Sequence, residues 1–217
     1  TLDGLTETDN AYSITVSDGS VDAAALNTLD GKTTVIVDAS SVTTLTGAAA
    51  EANTAYASSG ISGLANEAVT LSDTTLAAAV LNTLDGNTSG TIDASNITTL
   101  TGSASDLITA YTSSGITGLA NEAVTLSDTT LAVSVLNTLD GHTSGTIDAG
   151  TVTTLTSDDY DSLNTAYTSA NGGAITGLGD EAISVSGRIR VSEANTRNGH
   201  TAGVITATVT NSDGTGN

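Results

Sequence analysis

The chain has 217 residues, with 24 Asp and Glu against four Lys and Arg, a formal net charge of −20, and no Pro, Cys, Met, Trp or Phe. That balance excludes nucleic-acid binding, which needs Lys and Arg on phosphates, and it works against anionic membrane surfaces. Zero cysteine excludes disulfides and thiolate metal sites, and no run of about 18 apolar residues is present to span a bilayer.

With five Tyr as the whole aromatic complement, a core must be assembled from Ala, Val, Leu and Ile, which suits thin stacked layers better than a sphere. The negative charge favours solubility, cation binding and tolerance of salt. There is no initiator Met and no signal-peptide pattern, and residues 1–16 read as the tail of a repeat, so the chain reads as a segment of something longer.

The hexapeptide LNTLDG recurs at Leu26–Gly31, Leu81–Gly86 and Leu136–Gly141, and the interval from each copy to the next is the same. GLANEAVTLSDTTLA stands unchanged at Gly63–Ala77 and Gly118–Ala132. Repeats therefore run over 17–71, 72–126 and 127–185, the third with four inserted residues, followed by a diverged partial repeat or new module at 186–217.

Within each unit the first element is a helix over SDTTLAAAVLNTLDG. Ser72 or Asp73 is its expected N-cap, and Gly86 takes a left-handed position just past its end. Leu76, Ala77, Val80, Leu81 and Leu84 form its apolar stripe. GTIDASNITTLTG follows with a short strand at Thr91–Ala94. GSASDLITAYTSSG then reads as a second helix, burying Ala104, Leu107, Ile108 and Tyr111. A further strand is expected at Ala123–Leu126.

Strand and helix in alternation, at about 27 residues per pair, match one coil of an α/β solenoid. Stacked strands sit about 4.8 Å apart and packed helices about 8–10 Å, so a coil as long as the whole repeat would hold its strands too far apart to pair. The expected fold is a right-handed α/β repeat solenoid with one short parallel strand and one short helix per coil of about 27 residues, two coils to a unit. An all-β helix is the alternative.

Little raw material for catalysis is present. His142 and His200 fall in one loop slot, which holds Lys32 and Asn87 in other copies, and are expected at solvated loop tips. No nucleophile, base and orienter stand apart from the repeat, and phosphate-cradling loops are absent. Carboxylates recur in register. Asp18, Asp73 and Asp128 are expected helix caps. Asp30, Asp85 and Asp140 fall in a last helical turn, against the helix dipole. Together with Asp38, Asp93 and Asp148, further along the same loop, they form D-G-x-T-x-x-x-x-D, an oxygen-rich candidate site for Ca²⁺; capping and solvated turns are the competing reading. The T-x-T pairs Thr44/Thr46, Thr99/Thr101 and Thr154/Thr156 resemble rows on ice-binding solenoids. Here they are expected on alternate coils only, where they solubilise a strand face.

SGISGLANEAVTLSDTTLAAAVLNTLDGNTSGTIDAS together with VTTLTG resembles the tandem repeats of very large, acidic, Ala/Thr/Asp-rich proteins of marine bacteria, cyanobacteria in particular. The resemblance covers residues 1–185 and brings no catalytic residues. It implies an exported, cell-surface protein in which this stretch is a non-enzymatic, adhesin-like spacer, partnered by neighbouring repeats of its own chain and by other surface components. No cofactor is implied beyond the candidate Ca²⁺. A binding module for glycan, Ca²⁺ or protein is the second reading, with Glu67 and Glu122 expected as outward strand residues. A phage-fibre segment is the third, and an enzyme the least supported.

Overall fold

The computed structural model describes residues 11–210. The chain is α/β throughout, alternating short parallel strands with short helices. In order these are β1 (Ser20–Asp22), α1 (Ala23–Asp30), β2 (Val37–Asp38), β3 (Thr44–Gly47), α2 (Ala49–Ala57), β4 (Ile61–Ser62), β5 (Ala68–Leu71), β6 (Thr75–Ala77), α3 (Ala78–Asn87), β7 (Ile92–Asp93) and β8 (Thr99–Gly102). There follow α4 (Ala104–Thr112), β9 (Ile116–Thr117), β10 (Ala123–Leu126), β11 (Thr130–Ala132), α5 (Val133–Asp140), β12 (Ile147–Asp148), β13 (Thr154–Ser157), α6 (Tyr160–Asn171), β14 (Ile175–Thr176), β15 (Ala182–Arg190), α7 (Val191–Asn198) and β16 (Ile205–Thr210). Two compact units form, one from residues 1–98 with 110–119, the other from 99–109 with 120–217.

In the first unit β1, β3, β5, β7 and β9 are successive parallel neighbours in one sheet. Its register gives the winding length: Ser20 pairs with Thr44 and Thr44 with Ala68. Thr43 Oγ1 also bonds the Gly19 carbonyl across the same separation, 24 residues. Val69 then pairs with Ile92, and Ile92 with Ile116. The backbone therefore returns on itself sooner than a coil of about 27 residues would allow. The remainder of each repeat is a short step from Ala68 to Thr75, taken by β5 and β6 with no helix between them. Two windings and one strand step make the unit, so halving it equally misplaces the coil.

The same step explains why the compact units ignore the repeat boundaries. β5 closes one repeat, and its neighbours are β3 of that repeat and β7 of the next, so the boundary at 71/72 is crossed by a ladder rather than marked by a gap. In the second unit β8, β10, β12 and β14 are successive neighbours, as are β11, β13, β15 and β16. Leu131 pairs with Leu155 at the spacing found in the first unit, and the four inserted residues lengthen the next turn, where Leu155 meets Ile183.

Burial follows the two periodicities. Along β3 and β8 the central Leu45 and Leu100 are buried while the flanking threonines are half-buried, the alternation of a strand with one face on a core. Outward positions line up across windings as Asp22, Thr46, Thr70, Asp93 and Thr117. A polar side chain thus stands on each winding, where threonines are expected from sequence on alternate coils only; β5 repeats the pattern of β3 with Val69 inward and Thr70 outward.

Helix α3 begins at Ala78, later than expected, because Leu76 and Ala77 belong to β6. Its buried stripe is Ala78, Leu81 and Leu84, and Val80 is half-buried. Helix α2, which packs between α1 and α3, buries only alanines, Ala49, Ala52 and Ala55. Small side chains bring helix axes toward the low end of the usual range of about 8–10 Å, which eases the mismatch with strands about 4.8 Å apart. In α4, Ala104, Leu107 and Ala110 are buried, whereas Ile108 and Tyr111 are half-buried.

Candidate functional site

Each residue of LNTLDG has an assignable task. Leu26 and Leu29 are buried in the helix–sheet interface. Asn27 donates through Nδ2 to the Glu51 carbonyl at 3.0 Å, one winding on, and Asn137 does the same to Ser162 at 2.9 Å. Thr28 donates back to the Ala24 carbonyl, one turn earlier in its own helix. Gly31 and Gly141 close their helices in right-handed conformation, with φ −67 and −74, and α3 runs through Gly86. The expected left-handed glycine is therefore not found. The carbonyls near each helix end are instead met by right-handed turns, Gly31 N–H reaching the Asn27 carbonyl and Lys32 N–H that of Leu29.

The acid that closes the motif reaches across to the next winding. Ser58 Oγ donates to Asp30 Oδ2 at 2.6 Å, Ser113 to Asp85 at 2.7 Å, and Ser169 to Asp140 at 2.7 Å. Ser58 Oγ in turn accepts from Gly60 N–H. This hydroxyl bridge offsets the unfavourable meeting of an acid with a helix C-terminus, about 0.3–1 kcal/mol.

Asp73 and Asp128 are caps, but for a different helix from the one expected. Asp73 Oδ2 accepts from Ala49 N–H at 2.8 Å and Asp128 Oδ2 from Ala104 N–H at 2.8 Å, each one winding back. Their own helices start too late to be reached; α1 is capped by Asp22, which accepts from Ala25 N–H at 2.9 Å. Asp18 is exposed.

Asp38, Asp93 and Asp148 form tight turns with the amides of Ser40, Ser95 and Gly150, at 3.0, 3.0 and 2.9 Å. Hydrogen bonds from the Ser40 side chain and amide hold the Asp38 carboxyl below its ordinary range, and Ser95 does the same for Asp93. The Ca²⁺ candidates thus split between two kinds of partner: Asp30, Asp85 and Asp140 face serines one winding on, and Asp38, Asp93 and Asp148 face local amides. Among the described residues no three of His, Cys, Asp and Glu converge as a metal group would require.

The glutamates depart from expectation. Glu67, Glu122 and Glu181 are not outward strand residues; they are 1%, 1% and 0% exposed. Glu67 Oε2 accepts from Ala65 N–H at 2.9 Å, Asn66 N–H at 3.1 Å and the Tyr56 hydroxyl at 3.0 Å. A carboxylate can be buried only when its lone pairs are met in this way. Its backbone carbonyl accepts from Thr88 Oγ1 at 2.8 Å, and that hydroxyl accepts from Gly90 N–H at 2.9 Å. Glu122, Thr143 and Gly145 repeat the backbone part of the clamp, as do Glu181, Thr201 and Gly203. A Cβ on Gly90 would lie 2.1 Å from the Glu67 carbonyl oxygen, so the clamp admits no side chain there. Burial, the largest influence, raises the Tyr56 hydroxyl to about 12 even though a hydrogen bond with Thr88 lowers it, so this phenol acts as a donor and not as a base.

A signal for the clamp was present in the chain. The slot of Glu67 holds Tyr12 in the first copy, and the slot of Gly90 there holds Val35. Thr33 still donates to the Tyr12 carbonyl at 2.7 Å; where the glutamate is absent, so is the glycine.

The last described winding departs most. Arg197 occupies the slot of Leu29, Leu84 and Leu139 and is fully buried. Its guanidinium lies over the rings of Tyr160 and Tyr167, 4.7 and 5.3 Å from their centroids. It donates to Asn164 Oδ1 at 3.1 Å and the Tyr160 hydroxyl at 3.3 Å, while its Nε has no acceptor. Tyr167 donates to Glu181, and burial followed by that bond pushes its hydroxyl well above the ordinary tyrosine value. His200 stacks on Tyr167 at 5.1 Å, so it is a packing residue and not a solvated loop tip. The cluster brings Glu, Tyr, Arg and His together, yet Glu181 and Arg197 are sealed from solvent and the carboxylate is occupied by donors.

No family model, curated protein or solved structure matches the chain. No described helix is long and apolar enough to cross a membrane.

Proposed function

We propose that the chain is a non-enzymatic structural repeat segment, a right-handed α/β solenoid serving as a spacer or adhesin-type scaffold in a large extracellular or cell-surface protein. The observation that carries this reading is how the motif side chains are used. Asn27, Asp30, Asp73, Glu67 and Thr88 each bond another part of the winding or the next one, which is how a quasi-one-dimensional array shares stability among neighbours. The acidic composition suits a solvated, non-aggregating surface, and the repeat resembles those of giant bacterial surface proteins. Its partners in this reading are neighbouring repeats and other surface components.

Two measurements test the proposal. Small-angle scattering on the chain should give a radius of gyration clearly above the roughly 17 Å expected of a compact globule of this length; a value at that level removes the solenoid. An antibody against the chain should label intact source cells, and labelling only after lysis would remove the surface assignment.

A further inference from the structure

The windings at either limit of the described chain depart from the repeat in complementary ways. On the last one, the slot filled by Leu26, Leu81 and Leu136 elsewhere holds Ala194. The shortfall leaves an open cleft of about 390 Å³ between α7 and β16, lined by Ile189, Ala194, Ile205, Ala207 and Val209 with Asn195 and Asn198. Val191, Val204 and Val209 beside it are 44%, 73% and 49% exposed. Among the described residues β16 stands at the edge of its sheet, paired with β15 alone. This winding also holds three of the chain's four basic residues, and Arg188 and Arg190 lie on β15, Arg190 exposed and Arg188 exposed or half-buried along its alternating pattern.

On the first described winding, Tyr12, Val35 and Ile36 gather about Thr33, whose hydroxyl accepts both Tyr12 N–H and Val35 N–H at 3.1 Å. They are 39%, 38% and 57% exposed, and Val35 and Ile36 take slots that are Gly–Thr in the next two copies. Residues 11–43 carry Asp18, Asp22, Asp30 and Asp38 against one base, Lys32. Asp18 and Asp22 are exposed. Among the described residues β1 is likewise an edge strand of its sheet.

We propose that the cleft between α7 and β16 docks the first described winding of a second copy of this chain, head to tail. The Tyr12–Val35–Ile36 knob supplies the apolar side chains that Ala194 leaves out, and Asp18 and Asp22 face Arg188 and Arg190. Charge decides between occupants. Two like ends would set base against base or acid against acid, whereas unlike ends bring a locally basic winding onto an acidic one in a molecule otherwise short of positive charge. Unlike ends also leave a free cleft and a free knob after each addition, so growth continues past the first pair. The proposal does not depend on where the protein acts.

Sedimentation velocity over a concentration series tests it on the full chain, whose monomer is 21.2 kDa. Weight-average mass should rise at least about twofold at low salt, and fall back when salt screens exposed charges. Ile36→Asp and Ala194→Glu, confirmed folded by circular dichroism, should each abolish the rise. Mixed, they should form 1:1 pairs and no larger species, since each retains one good end. Arg188→Glu with Arg190→Glu should weaken assembly at low salt. A chain that stays monomeric throughout, or a mixture of the two variants that fails to pair, overturns the proposal. So does assembly that appears only after deletion of residues 211–217, which would make the chain's own tail the occupant.

Discussion

Two neighbouring glycines, Gly86 and Gly90, should respond to the same substitution with opposite sign. Gly90 N–H bonds the Thr88 hydroxyl of the glutamate clamp, and a Cβ added there meets the Glu67 carbonyl oxygen at 2.1 Å, its carbon at 2.4 Å and Ala68 N at 2.8 Å. All three are backbone atoms, so no side chain can rotate aside and the two chain segments must separate. Its φ lies outside the left-handed range, so the penalty is overpacking alone, about 3 kcal/mol at the upper end of the usual span. Gly86, near the end of α3, has nothing within 4 Å of an added Cβ. Alanine there should stabilise by about 0.5–1 kcal/mol, because glycine loses more backbone entropy in a helix. For a chain of this size roughly 2–4 °C accompanies each kcal/mol, so Gly90→Ala should lower Tm by about 6–12 °C and Gly86→Ala raise it by about 1–4 °C. Thermal melts by circular dichroism read both. If Gly90→Ala melts within a degree of the parent, or Gly86→Ala proves the more damaging, the clamp is not built as described.

Arg197 offers a second test. Leucine restores the side chain of the other copies and removes a buried guanidinium whose Nε has no acceptor; Arg197→Leu should be neutral or stabilising by about 1–4 kcal/mol, whereas Arg197→Ala should destabilise by about 2–5 kcal/mol through the cavity it leaves. Alkali should weaken the fold through Tyr56. Its hydroxyl rises from 10.0 to about 12 in the fold, so the native state holds the proton longer than the unfolded chain. The stability this contributes is complete below pH 10 and lost as pH climbs through about 12; Tyr56→Phe should flatten that limb of a pH–Tm curve. Asp38 and Asp93 act in the opposite sense: their lowered pKa values give stability that is present above the ordinary 3.8 and lost as pH falls through the depressed values, read as an acid limb that steepens below pH 3.8. Because Asp30 and Asp38 are met by Ser58 and Ser40, melts in Ca²⁺ and in EDTA should coincide; a midpoint raised several degrees by Ca²⁺ would restore the metal reading.

What the sequence made legible was what local periodicity encodes. The Leu26/Leu29 stripe, the inward Leu45 and Leu100 of each TLT strand and the strand at Ala123–Leu126 follow from spacing alone. What it hid depends on which winding meets which. Asp73 looks like a cap for the helix after it, but Leu76 and Ala77 are strand residues and the carboxylate serves α2 of the previous winding. Counting those two residues into a helical stripe also conceals the step between β5 and β6, which is why equal halves of the repeat overstate the winding. Glu67 reads as a polar strand flank until Tyr56, Thr88 and Gly90 are brought around it. The first copy, with Tyr12 and Val35 in place of glutamate and glycine, holds the clue that those positions act together.

The length of the winding underlies all of this, and because the chain has no native cysteine it can be measured by pairwise cross-linking. Thr46 and Thr70 are register partners on neighbouring parallel strands, about 4.8 Å apart and within disulfide reach. Thr46→Cys with Thr70→Cys should oxidise rapidly to an intramolecular disulfide in the folded chain. Failure of that pair, with efficient bridging of Thr46→Cys to Asp73→Cys at the longer spacing instead, would contradict the account.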